Sequence, residues 1–232
     1  MKRPRPVIAI DGPVSAGKST AARELAHALG FVYLSTGAMY RAAAIKAVET
    51  KLDLESGDLE ARLKRMLDRA QIGFEGERIM LDGRDVSREI GAPAISDLAS
   101  RLSTFAAVRT HMRDLQRHLG EQGGVVMEGR DIGTAVFPDA EFKFFLDADV
   151  EVRAWRRYAE LTAKRVPTTF NEVLQQLRER DVRDRGRALA PLKRADDALP
   201  IDTTNLDADQ VVNEMKSRII AGGNAGKGLK RN

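Results

Sequence analysis

The chain has 232 residues, of which 43% are hydrophobic and none is cysteine. This length and apolar content suit one α/β domain with insertions, and the absence of cysteine excludes disulfides and thiolate metal sites. The first apolar run stops at Asp11, too early for a signal peptide, and no run approaches the ~20 residues that cross a bilayer. We therefore expect a cytoplasmic protein without a membrane partner.

The formal net charge is +4, and the positive charge is concentrated in one internal segment. Residues 151–194 contain 12 Lys and Arg against 6 Asp and Glu. A nucleic-acid-binding protein more often spreads basic residues over one face with interleaved aromatic side chains. We therefore expect no stable nucleic-acid partner and interpret the segment as a phosphate clamp. A solvated basic helix face is the alternative.

The first predicted strand ends at Asp11 and leads into a glycine-bounded loop. Residues 12–19 fit the pattern G-x-x-x-x-G-K-[ST] without a mismatch, and a helical pattern follows. In such a loop the backbone N–H groups point at phosphate oxygens, the lysine reaches the β- and γ-phosphates, and the hydroxyl ligates Mg²⁺. A chance Gly/Ser/Lys loop is the alternative. The predicted triphosphate site, with Ser19 as the metal ligand, comprises Gly12, Pro13, Val14, Ser15, Ala16, Gly17, Lys18, Ser19 and Thr20.

A second short strand is predicted at residues 31–34, followed by a turn of small residues and a helix over residues 42–51. Thr36 in that turn is predicted to be the N-cap of the helix, and Arg41 lies near the helix start. Simple capping beside a surface arginine is the alternative to a binding role.

Residues 52–123 interrupt the alternation of strands and helices. Apolar spacing predicts a helix over residues 59–70, a β-hairpin with a further short strand over residues 72–86, and one helical stretch over residues 94–119. This antiparallel element indicates an insertion on an α/β core.

The core pattern then resumes. The predicted elements are strands at 123–128, 142–146 and 199–202, helices at 150–165, 170–180 and 207–220, and a disordered tail at 222–232. Strands that alternate with helices predict a parallel sheet covered by helices on both faces. Because ligands of such sheets lie beyond the carboxyl ends of the strands, we expect the loops that carry Lys18, Thr36, Arg130, Asp131 and Asp147 to share one crevice.

Two further motifs carry charge. Arg180, Arg183 and Arg187 recur every three to four residues and are predicted to share one helix face with Asp184. Clustered guanidiniums suit two polyphosphates that must approach each other, and they stabilise a transferring phosphoryl group. An exposed helix with internal ion pairs is the alternative. The motif Glu-Gly-Arg-Asp at residues 128–131 follows a strand, where it predicts either a phosphate and base contact or an ordinary turn.

Four motifs in order resemble those of the bacterial cytidylate kinases. They are Asp-Gly-Pro-x-x-Ala-Gly-Lys-Ser, Ser-Thr-Gly-Ala-Met-Tyr-Arg, Glu-Gly-Arg-Asp-Ile-Gly-Thr and Arg-Asp-x-Arg-Asp-Arg-x-Arg. Members of this family of P-loop nucleoside monophosphate kinases move the γ-phosphoryl group of ATP to CMP or dCMP. The resemblance covers residues 7–220. One departure is that Val14 and Ser15 stand where relatives more usually have Ser-Gly, and another is that Ser19 stands where many have Gly.

The resemblance implies a P-loop three-layer sandwich with a central parallel sheet of about five strands, and Mg²⁺ that accompanies the ATP. It implies one kinase domain with a core at 6–58, 106–150 and 166–221, a monophosphate-binding insertion with a small antiparallel sheet at about 59–105, and a short helical lid at about 151–165. We expect a monomer.

The resemblance also assigns roles to individual side chains. The implied phosphate contacts of CMP are Thr36, Arg41, Arg130 and Arg187, the base contacts are Ser100, Arg109 and Asp131, and the ribose contacts are Arg180 and Asp184. The implied catalytic cations are Lys18, Arg130, Arg180, Arg187, Arg156 and Arg157, the last two from the lid.

Two alternatives to a CMP kinase stay open on the sequence. One is a P-loop kinase for another monophosphate, a sugar or a shikimate-like acceptor. The other is a nucleic-acid-associated P-loop protein that hydrolyses ATP without an acceptor, which the internal arginine cluster disfavours.

Overall fold

A five-stranded parallel sheet forms the centre of the protein in the computed structural model, which describes residues 3–225. In chain order the elements are β1 (Val7–Asp11), α1 (Lys18–Leu29), β2 (Val32–Ser35), α2 (Thr36–Glu49), α3 (Leu59–Arg69), β3 (Ile72–Glu75), β4 (Arg78–Leu81), β5 (Arg84–Asp85), α4 (Pro93–Leu102), α5 (Ala106–Gly120), β6 (Val125–Gly129), β7 (Phe142–Asp147), α6 (Val150–Ala163), α7 (Phe170–Gly186), β8 (Leu199–Asp202) and α8 (Ala208–Ala225). Residues 222–225 of the predicted tail instead belong to α8, so that part of the prediction is wrong, and from residue 226 on the tail lies outside the described residues.

The order of the central sheet is β2-β6-β1-β7-β8, and every neighbouring pair is parallel. All five residues of β1 and of β6 are buried, as expected for strands covered on both faces. Helices α1 and α8 pack on one face, while α5 and a π-helical turn at Ile132–Val136 pack against the other. The predicted fold class is confirmed.

The insertion packs against α2 and α5 around one shared hydrophobic cluster. Strands β3, β4 and β5 form an antiparallel sheet in which Ile72 pairs with Leu81. Leu63 and Leu67 of α3 and Met112 of α5 are fully buried in the same cluster, and burying each such side chain contributes about 1.5–3 kcal/mol. The predicted hairpin and its following short strand are therefore correct.

The prediction of one continuous helix over residues 94–119 is wrong, because the helix is interrupted at residues 103–105. The hydroxyls of Ser103 and Thr104 donate to the carbonyls of Ser100 and Arg101 at 2.8 Å each, which satisfies the last turn of α4 locally. The carboxylate of Glu60, on α3, accepts the N–H groups of residues 106 and 107 at 3.0 Å each and so caps α5. A side chain distant in sequence thus creates the second helix start.

Helix α2 begins at Thr36, earlier than predicted, and Thr36 is not its N-cap. Ser35 occupies the cap position, while the Thr36 hydroxyl donates to the backbone carbonyl of Glu128 at 2.9 Å. This contact joins the start of α2 to the end of β6. It places Thr36 at the edge of the sheet where the predicted site lies.

Helix α7 includes the arginine motif as far as Gly186, and Arg187 is its C-cap. A capping box of Thr169 and Glu172 begins it, and it ends at Gly186. Helix α6 packs on it through Trp155, whose ring stacks on Phe170 with centroids 4.3 Å apart and remains 57% exposed. Within residues 3–225, no helix combines the length and apolar character that a bilayer span requires.

Candidate active site

A deep cavity opens at the carboxyl ends of β1, β2 and β6, between the loop after β1, the insertion and helix α7. Most of the predicted site residues line it, namely Val14, Ser15, Lys18, Ser19, Thr36, Arg41, Ser100, Arg109, Arg130, Asp131, Arg157, Arg180, Asp184 and Arg187. The remaining loop residues are Gly12, Pro13, Ala16, Gly17 and Thr20, which shape the loop without lining the cavity. Asp147 instead lies in a separate groove beside β8, so the expectation that it shares the crevice is wrong.

The loop at residues 12–19 depends on unusual backbone angles. Gly12 has φ +147°, and a Cβ there would lie 1.9 Å from the carbonyl oxygen of Leu146. Gly17 has φ +87° and caps α1. Ser15 also adopts a left-handed conformation, with φ +61°, at the position where cytidylate kinases more usually have glycine. Ser15 thus adopts a conformation that glycine takes without a steric penalty, at a cost of about 1–2 kcal/mol for a residue with a Cβ.

Lys18 is buried at the start of α1. Its Nζ donates to the carbonyl oxygen of Pro13 at 2.5 Å. Burial, and next the nearby charge of Arg130, lower the pKa of Lys18 to about 7. An anion in this cavity would reverse that shift, because it favours the charged ammonium.

Glu128 lies beneath the loop and was not predicted as a site residue, although the sequence places an acid at this strand end. Its Oε1 accepts the hydroxyl of Ser19 at 3.1 Å and the hydroxyl of Ser35 at 2.7 Å. Two hydroxyls and a carboxylate are hard oxygen ligands of the kind that Mg²⁺ prefers. The residues present therefore fit a magnesium ion that arrives with a nucleotide.

Four arginines surround the centre of the cavity. Buried nitrogen atoms of Arg41, Arg180 and Arg187 have no hydrogen-bond partner among the described residues. Burial, and next the charge of Arg130, lower the pKa of Arg180 to about 10. Arg130 donates through Nε to Asp184 at 2.9 Å, so one carboxylate compensates part of the cluster. The surplus donors are suited to a polyanion.

The far end of the cavity carries a buried ion pair. Arg109 donates to Oδ2 of Asp131, and both side chains are less than a tenth exposed. Asp131 precedes the π-helical turn, whose first two N–H groups, at Ile132 and Gly133, donate to the carboxylate of Asp11 at 2.8 Å each. Burial raises the pKa of Asp11 to about 7. Asp11 thus links the end of β1 to the two residues that follow Asp131.

The arginines of α6 point in three directions. Arg157 lines the cavity and pairs with Glu160, whereas Arg156 lies outside it and donates to the carbonyl oxygen of Thr203 at 2.6 Å. Arg153, which sequence reasoning missed, donates to the carbonyl of Val14 at 3.2 Å. Its Nη2 also pairs with Asp181 of α7 at 2.5 Å, so Arg153 connects the loop at residues 12–19 to both α6 and α7.

Comparison with known proteins supports one family. Residues 8–220 match the family model described as cytidylate kinase. The chain is 47% identical over 212 residues to a cytidylate kinase of Caldanaerobacter subterraneus subsp. tengcongensis, covering 91% of this chain and 93% of the relative. It is 46% identical to a cytidylate kinase of Carboxydothermus hydrogenoformans, covering 88% and 93%.

A shikimate kinase from Acinetobacter baumannii, solved in complex with shikimate, aligns over 94% of each chain at 18% identity and a TM-score of 0.46, which is too low to weigh in the assignment. The family match spans nearly the whole described chain, including the insertion and the arginine motif of α7. The protein belongs to the cytidylate kinase family.

Proposed function

We propose that the protein transfers the γ-phosphoryl group of ATP to CMP or dCMP, with ADP and CDP or dCDP as products. Members of the cytidylate kinase family are phosphotransferases, and the proposal extends this activity to the substrates that the cavity suits. The observation that carries it is the position of the arginines whose buried nitrogen atoms include some without a partner among the described residues. They lie between a phosphate-binding loop and a buried ion pair suited to a base.

The donor half of the site is the loop at residues 12–19. Its N–H groups and the N-terminus of α1 would hold the triphosphate, with Lys18 neutralising the β- and γ-phosphates. Ser19 would hold the Mg²⁺, and Glu128 orients that hydroxyl. The ion supplies charge neutralisation at the phosphates when it is bound.

The acceptor half holds the monophosphate against the arginines. Thr36, Arg41, Arg130 and Arg187 would bind the phosphate of CMP, and Arg180 with Asp184 would bind the ribose. Little covalent chemistry is required of the protein in phosphoryl transfer, so positioning and charge stabilisation supply most of the rate. Because Arg157 lines the cavity and Arg156 does not, Arg157 is the arginine of α6 that contacts the transferring group in this proposal.

Base selection follows from the ion pair at the far end. Cytosine presents an amino donor beside ring acceptors, which a carboxylate and a guanidinium satisfy together. Asp131 would accept from the 4-amino group, while Arg109 and Ser100 would donate. A base that leaves these buried groups unpaired is penalised.

An ADP-release assay with CMP, dCMP, UMP and AMP tests the proposal. We expect strongest turnover with CMP or dCMP, and none above background for a Lys18→Met variant purified in parallel. Strongest turnover with AMP would refute the acceptor assignment. A rate of ATP hydrolysis that is unaffected by CMP but increases with DNA or RNA would instead support a nucleic-acid-associated ATPase.

A further inference from the structure

At the far end of the cavity, which reads the base in the proposed function, helix α7 contacts a residue of the cavity wall. Ser100, on α4, is 4% exposed and lines the cavity. Arg183, on α7, donates from Nη1 to the hydroxyl oxygen of Ser100 at 2.9 Å. The same nitrogen lies 3.5 Å from Oδ1 of Asp97, one turn earlier on α4, which holds the guanidinium in place.

This hydrogen bond has only one possible polarity. A guanidinium carries five N–H donors and no acceptor, so the oxygen of Ser100 must accept from Arg183. The proton of the Ser100 hydroxyl is therefore directed away from Arg183. Among the hydrogen bonds of residues 3–225, that hydroxyl donates to no protein acceptor. It is a donor available to a ligand in the cavity.

We propose that Arg183 fixes the Ser100 hydroxyl as a donor to ring nitrogen N3 of the acceptor and so sets a preference for cytosine over uracil. The inference rests on the proposed function. Cytosine has an acceptor at N3 and an amino donor at position 4, whereas uracil has an N–H at N3 and a carbonyl at position 4. Against a fixed donor at Ser100 and the carboxylate of Asp131, both of these uracil groups have the wrong polarity.

Arg183 is a positioning residue in this account, since it acts through Ser100. If Arg183 is removed, the hydroxyl can rotate and accept from the N3–H of uracil, so discrimination weakens. A merely structural role would lower the rates with both bases together. The ratio of kcat/KM for CMP to that for UMP separates the two accounts.

The test measures this ratio by ADP release. For Arg183→Met we expect the ratio to fall about tenfold, the worth of one fixed hydrogen bond, with the KM for ATP within about twofold of the parent. Arg183→Lys keeps a donor and should retain most of the ratio. Ser100→Ala should lower the ratio by itself, and adding Arg183→Met to it should change the ratio no further, because the two residues act as one unit.

The matched control is Arg178→Met, an exposed arginine on the same helix that pairs with Glu151, which should leave the ratio unchanged. An unchanged ratio in Arg183→Met, in a protein that prefers CMP, would overturn the inference and leave the proposed function standing. A parent protein that does not phosphorylate CMP would overturn the proposed function itself. If Arg183→Met does not fold, Ser100→Ala decides the question, because an unchanged ratio in that variant would overturn the inference.

Discussion

The ammonium of Lys18 donates to the carbonyl oxygen of Pro13, five residues earlier in the same loop, at 2.5 Å. The loop therefore holds its own lysine in a buried position where burial and Arg130 lower the pKa to about 7, from an ordinary value of 10.5. Binding a triphosphate through Lys18 requires the lysine to exchange this carbonyl for phosphate oxygens and to carry a full charge.

We expect ATP binding at pH 8 to take up close to one proton per molecule, since a base with a pKa of about 7 is mostly neutral there and phosphate raises its pKa. ATP affinity should accordingly be full below pH 7 and decrease as the pH rises above it. Calorimetry of Mg-ATP binding in two buffers of different ionisation enthalpy measures the uptake. The Lys18→Met variant should lose this proton uptake, apart from any contribution of Asp11. Equal binding heats in both buffers for the parent protein would contradict the prediction.

Substitution of Asp131 by Ala should raise the KM for CMP at least tenfold, an estimate based on the loss of a charge-assisted hydrogen bond, while the KM for ATP stays within about twofold. Breaking the buried pair also strands Arg109, so unfolding free energy should fall by about 3–5 kcal/mol. Kinetics with CMP varied and a urea titration measure the two effects.

Asp114→Ala is the control for that substitution, because Asp114 is an exposed carboxylate on α5. It should leave the KM for CMP unchanged and alter the free energy of unfolding by no more than about 0.5 kcal/mol. Unchanged CMP saturation in Asp131→Ala would remove Asp131 from the base-reading role.

Arg153 should control the donor site from outside the cavity. Arg153→Met loses the bond to the Val14 carbonyl and leaves Asp181 without its partner, so we expect a several-fold higher KM for ATP and a stability loss of about 3 kcal/mol. Adding Asp181→Leu should restore part of the stability, since it removes the uncompensated carboxylate, but not the KM. If the double variant recovered both its stability and its KM for ATP, the higher KM of Arg153→Met would be a result of poor folding alone.

Substitution should be far more damaging at Gly12 than at Ser15 of the same loop. Gly12→Ala places a Cβ against the Leu146 carbonyl, and we expect loss of ATP binding with severe destabilisation. Ser15→Gly relieves the left-handed strain but also increases the conformational entropy of the unfolded chain. These effects oppose each other, so the stability of the variant should stay within about 1 kcal/mol of the parent. Gly76→Ala, with positive φ but open space around it, is the control for Gly12. Thermal unfolding and nucleotide titration of the three variants test this ordering, which equal losses at residues 12 and 76 would exclude.

The sequence predicted those parts of the candidate site that one segment encodes by itself. The loop at residues 12–19, the strand ends and the arginine spacing of α7 are all local patterns. The contacts of Asp11 and Glu128 were not predictable in this way. They depend on the parallel pairing of β1 with β6, in which Ile10 lies opposite Glu128 and Asp11 opposite Gly129.

The three arginines of α6 show the same limit. Helical spacing places Arg153, Arg156 and Arg157 within one turn of each other. Their different partners arise from the packing of α6 against the loop, α7 and the end of β8, which no local pattern records. The sequence therefore identified the helix and could not choose among its cations.

Trp155 stacks on Phe170, so the contact between α6 and α7 includes the one tryptophan of the chain. An indole that is half exposed and stacked on a ring changes its emission when either its solvent exposure or its stacking partner changes. Any motion of α6 relative to α7 during turnover would thus produce a fluorescence signal from a single known position. The protein carries an intrinsic optical probe at this helix contact, and substrate-dependent motion there can be followed in stopped-flow experiments without a label.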